Sequence, residues 1–192
     1  FFVRGFYEKL YENYPKKDES WFFETSDDKS AYRKWWGDKQ SAHIPTDIED
    51  TNFSESWNEF YHYMFSNEFI SNFRKFSGVP VSKLKGFGFM LLTKGGYQLP
   101  HIHNVGPSTL ILMLYFSKNW KKGDPGGTYV TPEEDESKMI FEPHNLDNTT
   151  IIFHDGAHAG HGVRYITKDV ERRAIQIYFE KYLPETGWSV YP

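Results

Sequence analysis

The sequence predicts a mainly β protein in which two consecutive helices precede a sandwich or barrel of short strands. Large apolar residues recur at helical spacing between residues 54 and 77, whereas no sustained helical period follows Pro80. Beyond that point, short β-prone runs alternate with clusters of Gly, Pro, Asn and Asp, as an antiparallel β fold requires.

The chain has the length of one domain. At 192 residues, one core that buries roughly 70% of the unfolded chain's surface is expected. We divide it into a helical and aromatic support at 1–80, a β core at 81–182 and a C-terminal tail at 183–192. Aromatic residues make up 19% of the sequence, and they are predicted mainly to pack the core.

The first fifty residues are mixed and rich in turn formers, and no regular element is predicted there. Residues 14–18 and 25–29 read as polar connections between aromatic clusters. Three tryptophans of the N-terminal half are predicted to pack in the core rather than to line a substrate site: Trp35, Trp36 and Trp57.

Two helices follow, at 54–66 and 67–77. Ser54 is suited to cap the first helix, and aromatic residues then recur every three or four positions through both segments. Gly78 followed by Pro80 is a helix stop signal.

The second half of the chain contains β-prone runs bounded by turn residues. The acidic segment 133–136 most simply reads as an exposed loop, with a cation site as the less favoured interpretation. The predicted strands are 86–93, 110–116, 127–131, 138–142, 149–154, 162–166 and 173–180.

Composition excludes several classes of function. A net charge of −4 provides no basic field for nucleic acid or an anionic membrane. The absence of cysteine excludes disulfides, thiolate metal sites and a Cys nucleophile, so any metal must be held by His, Asp or Glu. The longest apolar run, 110–116, has strand length, and a cytoplasmic location is expected, with a trimmed targeting segment before Phe1 left open.

The histidines provide the first functional signal. In an extended segment, residues two apart face the same side, so His101 and His103 can reach one metal while Ile102 points away. Imidazole suits Fe, Zn, Cu or Ni, and three protein ligands would leave open positions for chemistry. The H-x-H spacing also occurs in zinc sites and surface loops. Ordinary structural roles are expected for His43, His62 and His144. A third ligand must come from elsewhere in the chain, and three further histidines crowd one later stretch: His154, His158 and His161.

Six features follow one another in a fixed order: Pro100-His101-Ile102-His103-Asn104, the run 110–116, Gly126-Gly127-Thr128-Tyr129, Ile151-Ile152-Phe153, His161-Gly162-Val163, and Arg172-Arg173 before the apolar segment 174–179. Together they resemble the 2-oxoglutarate and iron(II)-dependent oxygenase superfamily, most closely its prolyl-hydroxylase-like branch. The resemblance covers about residues 57–180. It implies a double-stranded β-helix (jelly-roll) core, Fe(II) as cofactor, 2-oxoglutarate and O2 as co-substrates, and ascorbate as an optional addition.

Carried over by position, the resemblance makes His101 the first iron ligand and His161 the distal ligand. Arg172 becomes the partner of the far carboxylate of 2-oxoglutarate, which a planar guanidinium binds with two hydrogen bonds. Tyr115 either helps to bind that carboxylate or packs in the core. Arg172 is ranked above Arg173 because three residues of mixed polarity would share its side of the strand: Ala174, Gln176 and Tyr178.

His161 is preferred to the other two candidates as the distal ligand. Gly160 and Gly162 flank it and permit close backbone approach, and an apolar strand begins directly after them. His158 is interpreted as a residue near the substrate.

The sequence departs from the family pattern at His103, where the family usually has Asp. Three explanations stay open: three imidazoles hold the iron, the metal is lost or weakly held and the domain is a binding module, or Asp155 or another carboxylate completes the site. Three functions are considered separately: a 2-oxoglutarate-dependent oxygenase, a three-His dioxygenase that does not use 2-oxoglutarate, and a catalytically silent binding domain. The substrate is a small molecule or a peptidyl residue, and the oligomeric state is not readable from the sequence.

Overall fold

The computed structural model describes residues 1–38, 46–103, 105–106 and 108–188. Within these ranges the helices are α1 (Arg4–Glu12), α2 (Glu55–Phe65) and α3 (Asn67–Ser77). No helix of the described residues is long and apolar enough to span a membrane. His43, Asn104 and residues 189–192 of the predicted tail lie outside the described residues.

The strands occupy two regions, a hairpin near the N-terminus and most of the chain after α3. Their bounds are β1 Phe22–Ser26, β2 Lys29–Trp35, β3 Lys83–Leu92, β4 Tyr97–His101, β5 Thr109–Phe116, β6 Thr128–Thr131, β7 Asp147–His154, β8 Gly160–Val163, β9 Arg172–Glu180, β10 Tyr182–Leu183 and β11 Gly187–Trp188.

Nine of these strands form one antiparallel sheet that curls on itself. Its order is β6-β8-β4-β2-β3-β9-β5-β7, with β1 paired to the outer edge of β2. Strands β10 and β11 form a separate hairpin. Strand β2 connects the two halves of the sheet, since it pairs with β4 at its start and with β3 along the rest of its length.

The long strands carry a different core on each face. On β9, Ile175, Ile177 and Phe179 join the outer core, in which the sheet packs against the three helices. Ala174 and Tyr178, one residue out of phase, join the inner core, which also contains Val163 of β8. The alternation follows from the two-residue period of a strand, and the inner face is the one that contributes to the site described below.

The predicted helices are confirmed to within a residue. The Ser54 side chain accepts a hydrogen bond from Trp57 N, and that of Ser66 accepts one from Phe69 N, so each helix has a serine cap. Gly78 ends α3 in the left-handed conformation, with φ 71°.

The N-terminal region contains elements that the sequence did not predict. Helix α1 starts after Val3, whose side chain provides no capping bond, so the usual start signal is missing. The β1–β2 hairpin turns at Asp27 and Asp28 without the glycine that marks most two-residue turns. Trp36 and Trp57 lie in the outer core, as predicted.

The strand predicted at 138–142 is wrong. Residues Glu136–Lys138 form a 3-10 turn, and the segment makes a single bridge, between Val130 and Phe141. Ile140 and Phe141 are exposed, so the apolar residues of this segment are not packed into the core. The last predicted strands are shifted: β8 begins at Gly160 rather than at 162, which places His161 within the strand.

Candidate metal centre

Three histidines from two neighbouring strands and one connection converge at one end of the curled sheet. His101 ends β4 and is the register partner of His161 in β8, and His103 follows two residues later. The ring centroids are 4.4 Å apart for His101 and His161, 4.8 Å for His101 and His103, and 5.0 Å for His103 and His161. The structure therefore brings together the three histidines singled out in the sequence.

The hydrogen bonds give all three rings the same tautomer. Nδ1 of His101 lies 3.0 Å from Leu99 O, and Nδ1 of His161 lies 3.1 Å from Ala159 O. Nδ1 of His103 lies 2.7 Å from Oδ2 of Asp155. Each Nδ1 faces an acceptor and carries the proton of the neutral ring, so each Nε2 is the unprotonated nitrogen that can bind a metal.

Burial keeps the innermost rings neutral. His161 is 2% exposed, and its burial, together with the nearby His101 and His103, lowers its pKa to about 3. Burial also lowers the pKa of His101. Nε2 of His161 is buried and has no hydrogen-bond partner among the described residues, whereas Nε2 of His101 faces the Gln98 side-chain amide at 3.3 Å. An uncharged imidazole with an unused lone pair is the form that binds a metal ion.

The spacing of the ligand atoms fits a single ion. One nitrogen from each ring lies within 4.8 Å of the other two. A triangle of that side has a centre roughly 2.8 Å from each corner, and metal–imidazole bonds are about 2.1 Å long. Small side-chain rotations are enough to close the difference, and one face of the ion would stay open.

Asp155 lies directly behind His103. Its side chain is fully buried, and Oδ2 accepts the Nδ1–H of His103. Among the described residues, Oδ1 of Asp155 has no hydrogen-bond partner. The carboxylate considered in the sequence is thus present, but it contacts a histidine rather than the space between the rings.

Arg172 is fully buried on the inner face at the start of β9. Its Nε donates to Gly126 O at 2.8 Å, one terminal nitrogen donates to Thr128 Oγ1 at 2.9 Å, and the other lies 2.8 Å from Met90 Sδ. A guanidinium has five N–H groups, so two remain outside these bonds. The three acceptors are neutral, which leaves the positive charge available to an anion.

The ring of Tyr115 packs against the guanidinium of Arg172. Its ring centroid lies 5.2 Å from the guanidinium carbon, and its hydroxyl oxygen accepts a hydrogen bond from Thr128 N at 3.1 Å. The residue also packs in the inner core. Both interpretations of Tyr115 made from the sequence are therefore compatible with its position.

The sequence did not predict that the β1–β2 hairpin places an arginine on the inner face of the sheet. Arg33 of β2 is 7% exposed and donates to Oε1 of Gln176 at 2.7 Å, on the same face of β9 as Arg172. No spacing signal identifies Arg33, because its position depends on the unpredicted hairpin. The rival distal ligands, His154 and His158, are exposed and lie outside the three-histidine cluster.

Comparison with known proteins reveals no match by sequence but a clear match in structure. No protein-family model matches the chain, and no curated protein matches it. A prolyl-4-hydroxylase from Pseudomonas putida superposes with a TM-score of 0.67 at 14% identity, over 94% of this chain and 89% of that one.

Two further solved structures are similar. A Trichoplax adhaerens prolyl hydroxylase in complex with a hypoxia inducible factor peptide has a TM-score of 0.59 at 14% identity, over 91% of this chain and 74% of that one. HygX from Streptomyces hygroscopicus, with nickel, 2-oxoglutarate and hygromycin B bound, has a TM-score of 0.52 at 11% identity, over 100% and 90%. At such identities the likeness shows the fold, and the predicted jelly-roll core is confirmed.

Proposed function

We propose that this chain is an oxygenase that depends on Fe(II) and 2-oxoglutarate. The observation that supports it best is that one jelly roll contains both a three-histidine cluster and a fully buried Arg172 whose hydrogen-bond acceptors are neutral. Bound iron would supply O2 activation, with 2-oxoglutarate oxidised to succinate and CO2 while one oxygen atom goes to the substrate.

In this proposal the histidines act as three neutral ligands. Nε2 of His101, His103 and His161 would bind the metal, and their Nδ1–H bonds keep the rings oriented before the metal arrives. The open face of the ion would be left for 2-oxoglutarate and O2.

Arg172 would hold the far carboxylate of 2-oxoglutarate. The two N–H groups outside its present bonds match the two oxygens of a carboxylate. Thr128, which already bonds Arg172, and Tyr115, which lies under the guanidinium, would complete that end of the site. Burial of all three excludes water and strengthens the charge interaction.

A second candidate is a three-His dioxygenase that does not use 2-oxoglutarate, and the all-imidazole cluster is the observation that favours it. Arg172 favours the first candidate, since a dioxygenase that does not use 2-oxoglutarate has no co-substrate carboxylate for the buried guanidinium to bind. A catalytically silent binding domain would show neither activity. The substrate class, small-molecule or peptidyl, the use of ascorbate and a cytoplasmic location stay predictions. The peptide bound to the Trichoplax hydroxylase supports the peptidyl choice, and the hygromycin B bound to HygX supports the small-molecule choice.

The test is uncoupled turnover. Purified protein is loaded anaerobically with Fe(II), and succinate and O2 consumption are measured with and without 2-oxoglutarate. We expect wild type and His144→Gln to release succinate, because residue 144 is exposed and outside the cluster, and His161→Gln to lose this activity with its iron. O2 consumption without succinate would favour the second candidate, and equal succinate release by His161→Gln would refute the site.

A further inference from the structure

Asp155 is a buried carboxylate that the proposed ligand set does not use. It follows the last residue of β7, its backbone N–H donates to Thr109 O at 3.2 Å, and its side chain is fully buried. Oδ2 has one partner, Nδ1 of His103, and Oδ1 has none among the described residues. Such a group is costly, because an ionised carboxylate normally requires several hydrogen bonds or a cation when it leaves water.

The orientation of His103 connects this carboxylate to the metal centre. The two nitrogens of an imidazole lie on different sides of the ring, and Asp155 occupies the Nδ1 side. The Nε2 side is left for the centre that His101 and His161 also face. The carboxylate therefore stands one imidazole away from the place where an ion would bind.

We propose that Asp155 is the positioning carboxylate of the metal centre, acting through His103. It fixes the His103 tautomer and ring angle, and it supplies the negative charge that the three neutral imidazoles lack. The inference rests on the metal-binding part of the proposed function and not on turnover of 2-oxoglutarate.

This arrangement predicts how residues 103 and 155 depend on each other. In His103→Asp the usual family ligand is restored, but it would stand next to Asp155, and two adjacent carboxylates repel each other when both are ionised. Changing Asp155 to Asn as well removes the repulsion and provides an amide donor. The single change should therefore impair the centre, and the double change should repair it.

Metal affinity is the readout, because it does not require turnover. The dissociation constants of Co(II) and Ni(II) would be measured by competition with a chromogenic chelator for wild type, Asp155→Asn, His103→Asp and the double variant. We expect Asp155→Asn to bind about 10- to 100-fold more weakly than wild type, the range typical of lost outer-shell partners. We expect the double variant to bind at least about 10-fold more tightly than His103→Asp.

A folding measurement separates positioning from a merely structural role. If Asp155 serves the metal at the expense of the metal-free fold, Asp155→Asn should leave the metal-free Tm unchanged or raise it by about 2–4 °C. Asp50→Asn is the matched control. Asp50 is also buried, but it bonds the backbone N–H groups of Gly37 and Asn52 beside the outer core, so its loss should lower Tm and leave metal affinity unchanged.

Three results would overturn the inference. These are wild-type affinity in Asp155→Asn, a His103→Asp variant that binds as tightly as the double variant, or a fall in both Tm and metal affinity that Asp50→Asn reproduces. A wild type that binds neither metal would overturn the proposed function as well. A wild type that binds metal but releases no succinate would refute only the proposed function.

Discussion

Replacing Arg172 with Gln is the sharpest test of the co-substrate site. The change removes the charge and the two terminal N–H groups that would bind the carboxylate, while the Gln amide can still donate to Gly126 O from about the position of Nε. Hydrogen bonds to charged groups contribute about 1.5–3 kcal/mol each. Loss of two such bonds predicts a loss of about 3–6 kcal/mol, or roughly 10²- to 10⁴-fold weaker binding of 2-oxoglutarate.

Thermal unfolding in the presence of Ni(II) measures this loss of 2-oxoglutarate binding without requiring turnover. At 2-oxoglutarate about 100 times the wild-type Kd, ligand binding stabilises the fold by about 2.7 kcal/mol, which is about 5–10 °C in Tm for a chain of this size. The same concentration should move Arg172→Gln by about 1 °C or less, since it would no longer exceed the Kd.

Arg173→Gln provides the neighbouring control. Arg173 points to the opposite face of β9, where its Nε and a terminal nitrogen bond the Glu171 carboxylate at 2.9 and 2.5 Å. Such a partly exposed pair contributes little, so this variant should keep the full ligand-induced shift. A full shift in Arg172→Gln, or its loss in Arg173→Gln, would refute the assignment.

Three further predictions concern the scaffold. In Gly162→Ala the new Cβ would lie 2.5 Å from Gln98 O, so β8 and its histidine must move, and we expect Ni(II) affinity to fall about 10-fold or more. Gly5→Ala, where nothing lies within 4 Å, should leave that affinity unchanged. Trp57→Ala removes a fully buried side chain of the outer core and should cost about 3–5 kcal/mol in urea unfolding, and a cost below 1 kcal/mol would contradict the packing. Burial raises the pKa of Tyr14 in the folded protein. The unfolded chain therefore loses the Tyr14 proton near pH 10 while the folded chain keeps it. Because the unfolded state then binds fewer protons, the free energy of unfolding falls as pH rises above 10. Tyr14→Phe should reduce that slope by about 1.4 kcal/mol per pH unit, and equal slopes would contradict it.

Much of the architecture could be read from local patterns. The two central helices are predicted by regular aromatic spacing, a serine cap and Gly78. The three histidines could be found because two are neighbours on one extended segment and the third lies between glycines. Each of these signals is local, since it depends on residues that lie only a few positions apart.

The parts that were missed depend on contacts between distant segments. Helix α1 has no side-chain cap, and its aromatic residues pack on strands that come more than a hundred positions later, as the Tyr7 and Phe116 rings do. Asp155 could be noted in the sequence, but its contact with His103 spans 52 positions and depends on where β7 ends. The strand predicted at 138–142 had the right residue types but no neighbour to complete a ladder.

The double use of β9 limits how this protein can be altered. Its even-numbered residues Arg172 to Tyr178 face the site, and its odd-numbered residues Ile175 to Phe179 hold the helices. Inserting or deleting one residue would exchange these roles along the rest of the strand. Libraries that aim at new specificity should therefore keep the length of β9 and vary only side-chain identity within it.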